Sequence, residues 1–228
     1  MIDWEKIDNV FLDMDGTLLD LNFDNHFWQE FVPQRYAEHN GLTPDEAKIL
    51  LAPRFRAMEG KLEWYCLDYW SEQLNLDIPA MKLEISGLIS VLPHVTEFLD
   101  AIRAIDKRLV LVTNAHRKSL GLKMDKTRLQ FFFDAIFSSH DFGIPKEDPK
   151  FWSGPGILEP FTAQRTLLVD DSLPVLRSAR TFGIRHLIAI RKQDSTRPAR
   201  HITEFKAIED FREIMPLSSP IPHSSGVS

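Results

Sequence analysis

The chain has 228 residues, of which 43% are hydrophobic and 26% are charged, proportions typical of an ordinary soluble globular protein. Its formal charge of −6 at pH 7 gives no attraction to polyanions, so we expect no nucleic acid partner. A single cysteine, Cys66, excludes an internal disulfide, and no apolar run approaches the roughly 20 residues that span a bilayer. Since the first residues also lack a secretory signal pattern, we expect a cytoplasmic protein without a membrane partner.

The first stretch with a clear signal is an apolar run that ends on two carboxylates one residue apart. Residues 10–12 suit a buried strand, and Asp13, Asp15 and Gly16 then break it with a turn. An Asp-Gly pair also fits a hairpin turn, which the pattern alone leaves open. A calcium loop does not fit, because Gly16 stands fourth from Asp13 instead of sixth and a strand precedes it.

Residues 22–90 have a helical pattern throughout and no strand period. Aromatic residues recur every three to four positions up to Pro33, which we expect to interrupt the first helix. Residues 43–46 form a capping box, and the helix that starts there should end near Gly60. The other two predicted helices are 62–74 and 79–88. Because this segment lies between the first strand and the rest of the sheet, we predict an inserted helical domain over the strand ends.

From residue 91 the pattern alternates between strands and helices. This alternation implies parallel pairing, and the predicted fold class is therefore α/β with a doubly wound parallel sheet. The predicted strands after the first are 108–112, 136–137, 165–169 and, as the last, 186–190, with a helix over 173–182 that Gly183 closes. The predicted domains are a core of residues 1–21 and 91–215, a helical cap of residues 22–90, and a disordered Ser/Pro-rich tail of residues 216–228.

Three predicted strands end in polar residues. The three pairs are Asp13 with Asp15, Thr113 with Asn114, and Asp170 with Asp171. Each pair alone could form a turn or a helix cap, but a parallel sheet brings all three strand ends to one edge. Two carboxylate pairs at that edge form a hard oxygen site, which suits Mg²⁺.

Together with Lys146, these motifs resemble, in order and in spacing, the four motifs of the haloacid dehalogenase-like (HAD) hydrolases. The resemblance spans about residues 7–213 and includes the helical insertion, which is similar to that family's α-helical cap on a Rossmann-like core. Many members have proline directly after the lysine, whereas here Pro145 precedes it and Glu147 follows. The runs LDMDGTLLDLNFDNHFW, WYCLDYWSEQL and FGIPKEDP further resemble bacterial GMP/IMP 5′-nucleotidases of this family, which implies a nucleoside monophosphate substrate.

The resemblance implies a role for each matching residue. Asp13 is the expected nucleophile, which forms an aspartyl-phosphate, and Asp15 is the expected general acid and base. The other implied catalytic residues are Thr113 and Lys146, and the implied substrate-binding residues are Asn114, Gly16 and Thr17. The implied Mg²⁺ ligands are Asp13, Asp15 through its backbone carbonyl, Asp171 directly, and Asp170 through water.

Substrate choice is expected to lie in the helical cap. Six aromatic residues there could stack on a base or could simply form the cap's own core: Phe23, Phe27, Trp28, Trp64, Tyr65 and Trp70. The polar side chains that could read the edge of a base are Asp24, Asn25 and His26.

Several other functions would use some of the same residues. A sugar-phosphate phosphatase or a phosphomutase would use the same acids on another substrate. A haloacid dehalogenase needs no metal and would leave Asp15, Asp170 and Asp171 idle. A phospho-accepting signalling module also combines an acid pair with Thr and Lys, but its acid pair comes first and it lacks an inserted cap of this kind.

Overall fold

The computed structural model describes residues 2–154 and 162–216, and within them the core is one parallel sheet. Its strands are β1 (Asn9–Leu12), β2 (Arg108–Thr113), β3 (Ala135–Ser138), β4 (Thr166–Asp170), β5 (His186–Ile190) and β6 (Lys206–Ile208). They lie in the order β3-β2-β1-β4-β5-β6, and each neighbouring pair is parallel. This order is that of a doubly wound fold, which confirms the predicted class. Apart from Pro216, the predicted tail lies outside the described residues.

Helices cover both faces of this sheet and also form a separate layer at one edge. They are α1 (Asn22–His26), α2 (Val32–Asn40), α3 (Pro44–Arg56), α4 (Leu62–Tyr65), α5 (Leu67–Leu74), α6 (Ile78–Glu84), α7 (Val95–Ala104), α8 (Arg117–Thr127) and α9 (Leu173–Phe182). Helices α7 and α8 pack on the face of Leu12, and α9 packs on the face of Phe11. No helix of the described ranges combines the length and the apolar character that crossing a membrane requires.

The sheet extends one strand further than predicted. We expected residues 186–190 to be the last strand, but β6 continues the sheet, with Ile188 paired to Lys206. The prediction was wrong because β6 has three residues, of which Lys206 is exposed and only Ile208 is buried. Such a short segment carries no alternation that a sequence pattern could detect.

Helices α1 to α6 lie between β1 and α7, in the segment of residues 22–90 for which a helical insertion was predicted. We call this segment the insertion; that it is a separate domain stays a prediction. Its helices enclose an apolar cluster of their own, which includes Phe27, Trp70 and Ile78. Its two connections to the core run side by side: Asp20 N–H donates to the Ser90 carbonyl (3.0 Å), and Leu92 N–H donates to the Leu18 carbonyl (2.9 Å). The chain therefore leaves and re-enters the core at one place, although separate movement of the insertion stays a prediction.

Pro33 does not interrupt the first helix, contrary to the prediction. The chain passes from α1 through a π-helical turn (Phe27–Phe31) directly into α2, where Pro33 stands in the first turn. In the wider turn, Val32 N–H donates to the Phe27 carbonyl five residues earlier. This turn relieves the clash between a proline ring and the carbonyl four residues before it, so the helix continues.

The helix predicted over 62–74 is divided at Cys66. Cys66 is extended (φ −84°, ψ 111°), ends α4 and begins α5, whose Tyr69 N–H donates to Cys66 Sγ (3.4 Å). The capping box before α3 is confirmed, since Thr43 and Glu46 exchange hydrogen bonds, but this helix ends at Arg56 before reaching Gly60. The break at Cys66 turns Trp64 and Tyr65 toward the strand ends, where they line the cavity described next.

Candidate active site

The polar strand ends converge at the carboxyl edge of the sheet, as predicted. Asp13 follows β1, Thr113 ends β2, and Asp170 ends β4, and β2 and β4 are the two neighbours of β1. These ends open into a cavity of about 360 Å³, within the usual range for a small-molecule site. On the core side the lining includes Asp13, Asp15, Thr113, Asn114, Lys146, Asp170 and Asp171. On the side of the insertion it includes Asp24, Asn25, Trp28, Gln29, Phe55, Trp64, Tyr65 and Lys82.

We call Asp13, Asp170, Asp171 and Lys146 the acidic cluster. One carboxylate oxygen from each aspartate lies within 4.8 Å of the other two. Lys146 Nζ donates to Asp13 Oδ1 (2.6 Å), to Asp170 Oδ2 (2.8 Å) and to the Val112 carbonyl (2.9 Å). Lys146 is only 1% exposed, so its ammonium group is held inside the site by these three contacts and is not solvated.

Asp171 lacks a comparable partner. Among the described residues its carboxylate makes no hydrogen bond or ion pair, and burial beside Asp13 and Asp170 raises its pKa well above the ordinary value. Burial likewise raises the pKa of Asp13 to about 6, although Lys146 opposes this shift. Three carboxylates face the Lys146 ammonium, and the Arg200 guanidinium acts on Asp171 from a longer distance, so at least one formal negative charge is left. An excess of this size on oxygen donors alone fits a hard divalent cation such as Mg²⁺.

Gly16 allows the carboxylate of Asp171 to lie close to the backbone that follows Asp15. A Cβ atom at Gly16 would lie 2.8 Å from Asp171 Oδ2, and the backbone there has φ +81°. Thr17, which was predicted to bind substrate with Gly16, instead lines a second cavity beside Pro93 and Phe211. Substrate binding by Gly16 and Thr17 therefore stays a prediction, and neither residue lines the cavity of the acidic cluster.

We call Asp15, Asp24, Lys82 and Lys123 the paired cluster. Lys123 Nζ donates to Asp15 Oδ1 and to Asp24 Oδ2, both at 2.6 Å. Lys82 Nζ donates to the other oxygen of Asp24, also at 2.6 Å, and lies 4.6 Å from the ring centre of Phe27. Asp24 and Lys82 belong to the insertion, whereas Asp15 and Lys123 belong to the core. A continuous chain of ion pairs, in which both ammonium groups are buried and both carboxylates are partly exposed, therefore joins the two.

The two carboxylates of the paired cluster have opposite pKa shifts. Burial raises the pKa of Asp15 to about 6, against the effect of Lys123. Burial also opposes ionisation of Asp24, but Lys123 and Lys82 together bring its pKa well below the usual range. Asp24 is therefore an anion with both oxygens engaged, which leaves it poorly suited to read a base. Asp15 is the carboxyl of this pair that can carry a proton near neutral pH.

Asn114 and Glu147 connect the loop of Lys146 to the insertion. Asn114 Oδ1 accepts from the Lys146 backbone N–H, and Asn114 Nδ2 donates to Glu147 Oε2, each at 2.9 Å. Tyr65 of the insertion donates from its hydroxyl to Glu147 Oε1 (2.5 Å). Proline at position 147, as in many family members, could make neither contact. The departure from the family pattern thus provides a carboxylate that fixes the loop and contacts the insertion.

Thr113 and Asn114 do not cap the helix that follows them. The residue before α8 is His116, while Thr113 Oγ1 accepts from Ala115 N–H (3.0 Å) and is buried. A hydroxyl that accepts from the backbone keeps its own hydrogen for a ligand. The placement of Thr113 beside Asp13 is therefore compatible with its predicted contact to a phosphoryl oxygen.

The structure divides the six aromatic residues of the insertion into two groups. Trp28, Trp64 and Tyr65 line the cavity, together with Phe55, which was not predicted. The other three are buried away from the cavity lining: Phe23, Phe27 and Trp70. Asn25 lines the cavity as expected, whereas His26 does not.

Two lysines of the paired cluster were not predicted. Lys123 and Lys82 are 1% and 2% exposed, although lysine is seldom buried unless it is paired. A signal was available, because Lys123 stands between Leu120 and Thr127 on the inward face of α8 and Lys82 follows Met81 in α6. A lysine on the apolar face of a helix indicates a buried carboxylate partner elsewhere in the chain.

Comparisons with known proteins agree with this geometry. A family model described as a haloacid dehalogenase-like hydrolase matches residues 7–183. The chain is 41% identical to the GMP/IMP nucleotidase YrfG of Escherichia coli (strain K12) over 94% of its own length and 97% of the relative. It is 24% identical to a phosphoglycolate phosphatase of Agrobacterium fabrum, over 90% of this chain and 89% of that one. The crystal structure of a HAD phosphatase from Thermococcus onnurineus has the same fold, with a TM-score of 0.75 and 20% identity over 91% of this chain and 96% of that one. This chain is therefore an enzyme of the haloacid dehalogenase-like hydrolase family.

Proposed function

We propose that the enzyme is a Mg²⁺-dependent phosphomonoesterase that acts through an aspartyl-phosphate on Asp13. The observation that carries this proposal is the acidic cluster on the floor of a cavity, in which Lys146 fixes Asp13 beside Asp171. The described part of the chain provides the Asp171 carboxylate with no hydrogen-bond or ion-pair partner. Asp13, Asp170, Asp171 and the backbone carbonyl of Asp15 would hold the ion. When bound, Mg²⁺ supplies positive charge that reduces the repulsion between a carboxylate and an anionic phosphate.

The residues of the chain account for the remaining steps. An oxygen of Asp13 attacks phosphorus as the bond to the leaving alkoxide breaks, and Asp15 gives its proton to that alkoxide. Asp15, now ionised, takes a proton from water, whose oxygen attacks phosphorus and releases phosphate and free Asp13. Lys146 and the hydroxyl of Thr113 stabilise charge on the phosphoryl oxygens. Lys123 orients the carboxyl of Asp15 for both proton transfers.

We further propose purine nucleoside 5′-monophosphates, namely GMP and IMP, as substrates. The support is the similarity to a nucleotidase along nearly the whole chain, together with aromatic faces from Trp28 and Trp64 opposite the acidic cluster. Asn25 and Gln29 lie on the same wall. Both amide oxygens already accept a hydrogen bond, from Gln29 and from Arg197, and Asn25 also donates to Asp194. Each amide keeps one further N–H that could donate to the polar edge of a base. In this proposal residues 22–90 are a cap over a core of residues 1–21 and 91–215, and the enzyme is cytoplasmic.

The test is phosphate release from GMP, IMP, AMP, UMP and several sugar phosphates, with Mg²⁺ and with a chelator. We expect Mg²⁺-dependent release that is fastest with GMP and IMP. Mg²⁺-dependent release that is fastest with sugar phosphates would retain the mechanism and reject the substrate. If the enzyme releases phosphate from none of these esters, or releases it equally fast with the chelator, the proposed chemistry is refuted.

A comparison of alanine variants at Trp64 and Trp70 distinguishes a role in base recognition from a role in stability. Trp64→Ala should reduce the preference for GMP over sugar phosphates by about 10-fold, since base stacking on an aromatic residue is worth about 1–3 kcal/mol. Trp70→Ala should leave the preference unchanged and lower the free energy of unfolding by about 3–5 kcal/mol, because Trp70 is buried in the insertion. Equal loss of preference in both variants would contradict the role of Trp64.

A further inference from the structure

A second cluster of metal-ligating side chains lies outside the acidic cluster. It consists of Cys66, His116 and His140: the sulfur and one ring nitrogen of each histidine lie within 4.8 Å of one another. Cys66 belongs to the insertion, between α4 and α5, whereas His116 precedes α8 and His140 follows β3 in the core. Three distant segments of the chain therefore bring together two imidazoles and a thiol.

His140 provides the strongest evidence that this cluster is a binding site. Its Nε2 is shielded from solvent and has no hydrogen-bond partner among residues 2–154 and 162–216. A backbone interaction with Asn114 raises the pKa of the ring, as a ring N–H that donates to a carbonyl does; with Nδ1 as that donor, Nε2 carries the lone pair of the neutral ring. Burial lowers the pKa of His140 to about 4, which keeps the ring neutral at physiological pH. A metal ligand of the histidine type is oriented in this way, by a backbone contact of its second nitrogen.

The other two members of the cluster, His116 and Cys66, make only long polar contacts. His116 has two long contacts, from Lys118 N–H to Nδ1 (3.4 Å) and from Nε2 to a carboxylate oxygen of Asp68 (3.7 Å). Cys66 is a free thiol whose sulfur accepts from Tyr69 N–H, a contact that a metal-bound sulfur also makes. The rings of His116 and His140 meet edge to face with centroids 4.9 Å apart. None of the three side chains would lose a strong partner on binding a metal.

The donor set differs in kind from that of the acidic cluster. Two imidazoles and one thiolate select Zn²⁺ over Mg²⁺, which prefers oxygen. Tetrahedral Zn²⁺ bond lengths place ligand atoms roughly 3.3–3.8 Å apart, so each pair here has to close by about 1.5 Å or less. Three protein ligands also leave the fourth position for water, as in other open zinc sites.

We propose that Cys66, His116 and His140 form a Zn²⁺ site that fastens the helical insertion to the core. The metal would join Cys66 of the insertion to His116 of the core. His116 lines the cavity, and so does Tyr65, the residue before Cys66. Binding would thereby hold the insertion over the acidic cluster and slow substrate entry and product release. The metal site itself does not depend on the proposed function; only the effect on turnover rests on it.

Co²⁺ replaces Zn²⁺ in such sites and reports sulfur ligation directly, because thiolate-to-cobalt charge transfer absorbs in the near ultraviolet and carboxylate ligation does not. The tag-free protein, kept reduced and in excess Mg²⁺, should bind one equivalent of Co²⁺ with this absorption, and Zn²⁺ should abolish it. Cys66→Ser should remove the absorption, and His140→Gln should weaken Zn²⁺ binding by at least about 100-fold. Asp171→Asn, in the acidic cluster, should keep the absorption unchanged.

Absence of the charge-transfer absorption in the wild-type protein, or its persistence in Cys66→Ser, would overturn the site. No substrate is present in that measurement, so its result is independent of the proposed phosphatase activity. Turnover is then measured with excess Mg²⁺ and one equivalent of Zn²⁺. We expect at least about 10-fold slowing in the wild type and none in Cys66→Ser; equal slowing in both would overturn the fastening role.

Discussion

The acidic cluster and the paired cluster lie on either side of the turn after β1, and they differ in charge balance. The acidic cluster sets three carboxylates against Lys146, whereas the paired cluster matches Asp15 and Asp24 with two lysines. Burial raises the pKa of Asp171 in the first, and lysine contacts lower the pKa of Asp24 in the second, despite burial. Only the first cluster has charge left for a cation.

This difference explains how two aspartates one residue apart can do different chemistry. Asp13 points into the unbalanced cluster, where it is expected to be ionised next to a metal. Asp15 points into the balanced cluster, where its side chain contacts Lys123 and not the other carboxylates of the proposed metal site. Burial raises the pKa of both carboxyls to about 6, so the neighbouring charges, and not the pKa, decide which of them keeps a proton when the metal is bound. Because two of the four members of the paired cluster belong to the insertion, the environment of Asp15 depends on how the insertion is seated.

The largest expected effect comes from Asp171→Asn, which removes one carboxylate of the acidic cluster. Mg²⁺ affinity should fall on the order of 100-fold or more. Without metal, the variant should be more stable than the wild type by about 1 kcal/mol at neutral pH, because a carboxyl whose pKa is raised on folding costs stability at every pH above its pKa in the unfolded chain. Thermal unfolding with Mg²⁺ and with EDTA measures both changes.

Asp24→Asn is the matched variant in the paired cluster and should behave oppositely. It should lower the free energy of unfolding by about 3 kcal/mol, since two buried lysines lose their shared counter-ion, and leave Mg²⁺ affinity nearly unchanged. If both variants change metal affinity and stability in the same direction, the distinction between the clusters is wrong.

Lys123→Met should impair proton transfer by Asp15. Turnover of GMP should fall about 100-fold, whereas turnover of p-nitrophenyl phosphate should fall less than about 10-fold, because nitrophenolate leaves without a proton. A merely structural role of Lys123 would lower both rates equally. Lys126→Met, an exposed position on the same helix, is the control and should change neither rate.

A second variant covers the case in which Lys123→Met does not fold. Lys123→Arg keeps the positive charge, but a planar guanidinium cannot contact Asp15 and Asp24 as an ammonium does. It should show the same unequal loss between the two substrates to a smaller degree. If a folded Lys123→Arg protein loses the same fraction of its turnover with both substrates, Lys123 is not the residue that positions Asp15.

Tyr65→Phe should have the smallest effect. It removes the hydroxyl that contacts Glu147, one of the links between the insertion and the core, and so should raise KM about 3- to 10-fold with kcat within about twofold. Steady-state kinetics with GMP measure both values. Tyr69→Phe, which lies in α5 and outside the cavity lining, should leave KM unchanged, and a similar increase in both variants would count against the Tyr65 contact.

The sequence allowed a good prediction of the sheet near the site. Strands β1, β2 and β4 are buried on both faces, so they appear as continuous apolar runs that end in polar residues. Helix α9 was also predicted with the right bounds, because its apolar face is clear and Gly183 ends it. The short strand β6 and the helix break at Cys66 depend on tertiary contacts and were missed.

The site was predicted only in part, for a related reason. Asp13, Thr113 and Asp170 stand at strand ends, which topology alone brings together. The place of Lys146 came from the family resemblance, because a lysine in a loop carries no pattern of its own. The contact between Asp15 and Lys123 joins residues 108 positions apart and follows from no local rule. The buried lysine on α8 was the available signal for it.

The most direct test of this account is to locate the phosphoryl group on the enzyme during turnover. The enzyme is mixed with GMP and Mg²⁺, quenched in acid, reduced with borohydride, which converts aspartyl-phosphate to homoserine, and analysed by peptide mass spectrometry. We predict homoserine at Asp13 alone, and neither modification nor turnover in Asp13→Asn. Modification at Asp15, Asp170 or Asp171, or undiminished turnover in Asp13→Asn, would contradict the assignment of Asp13 as the nucleophile.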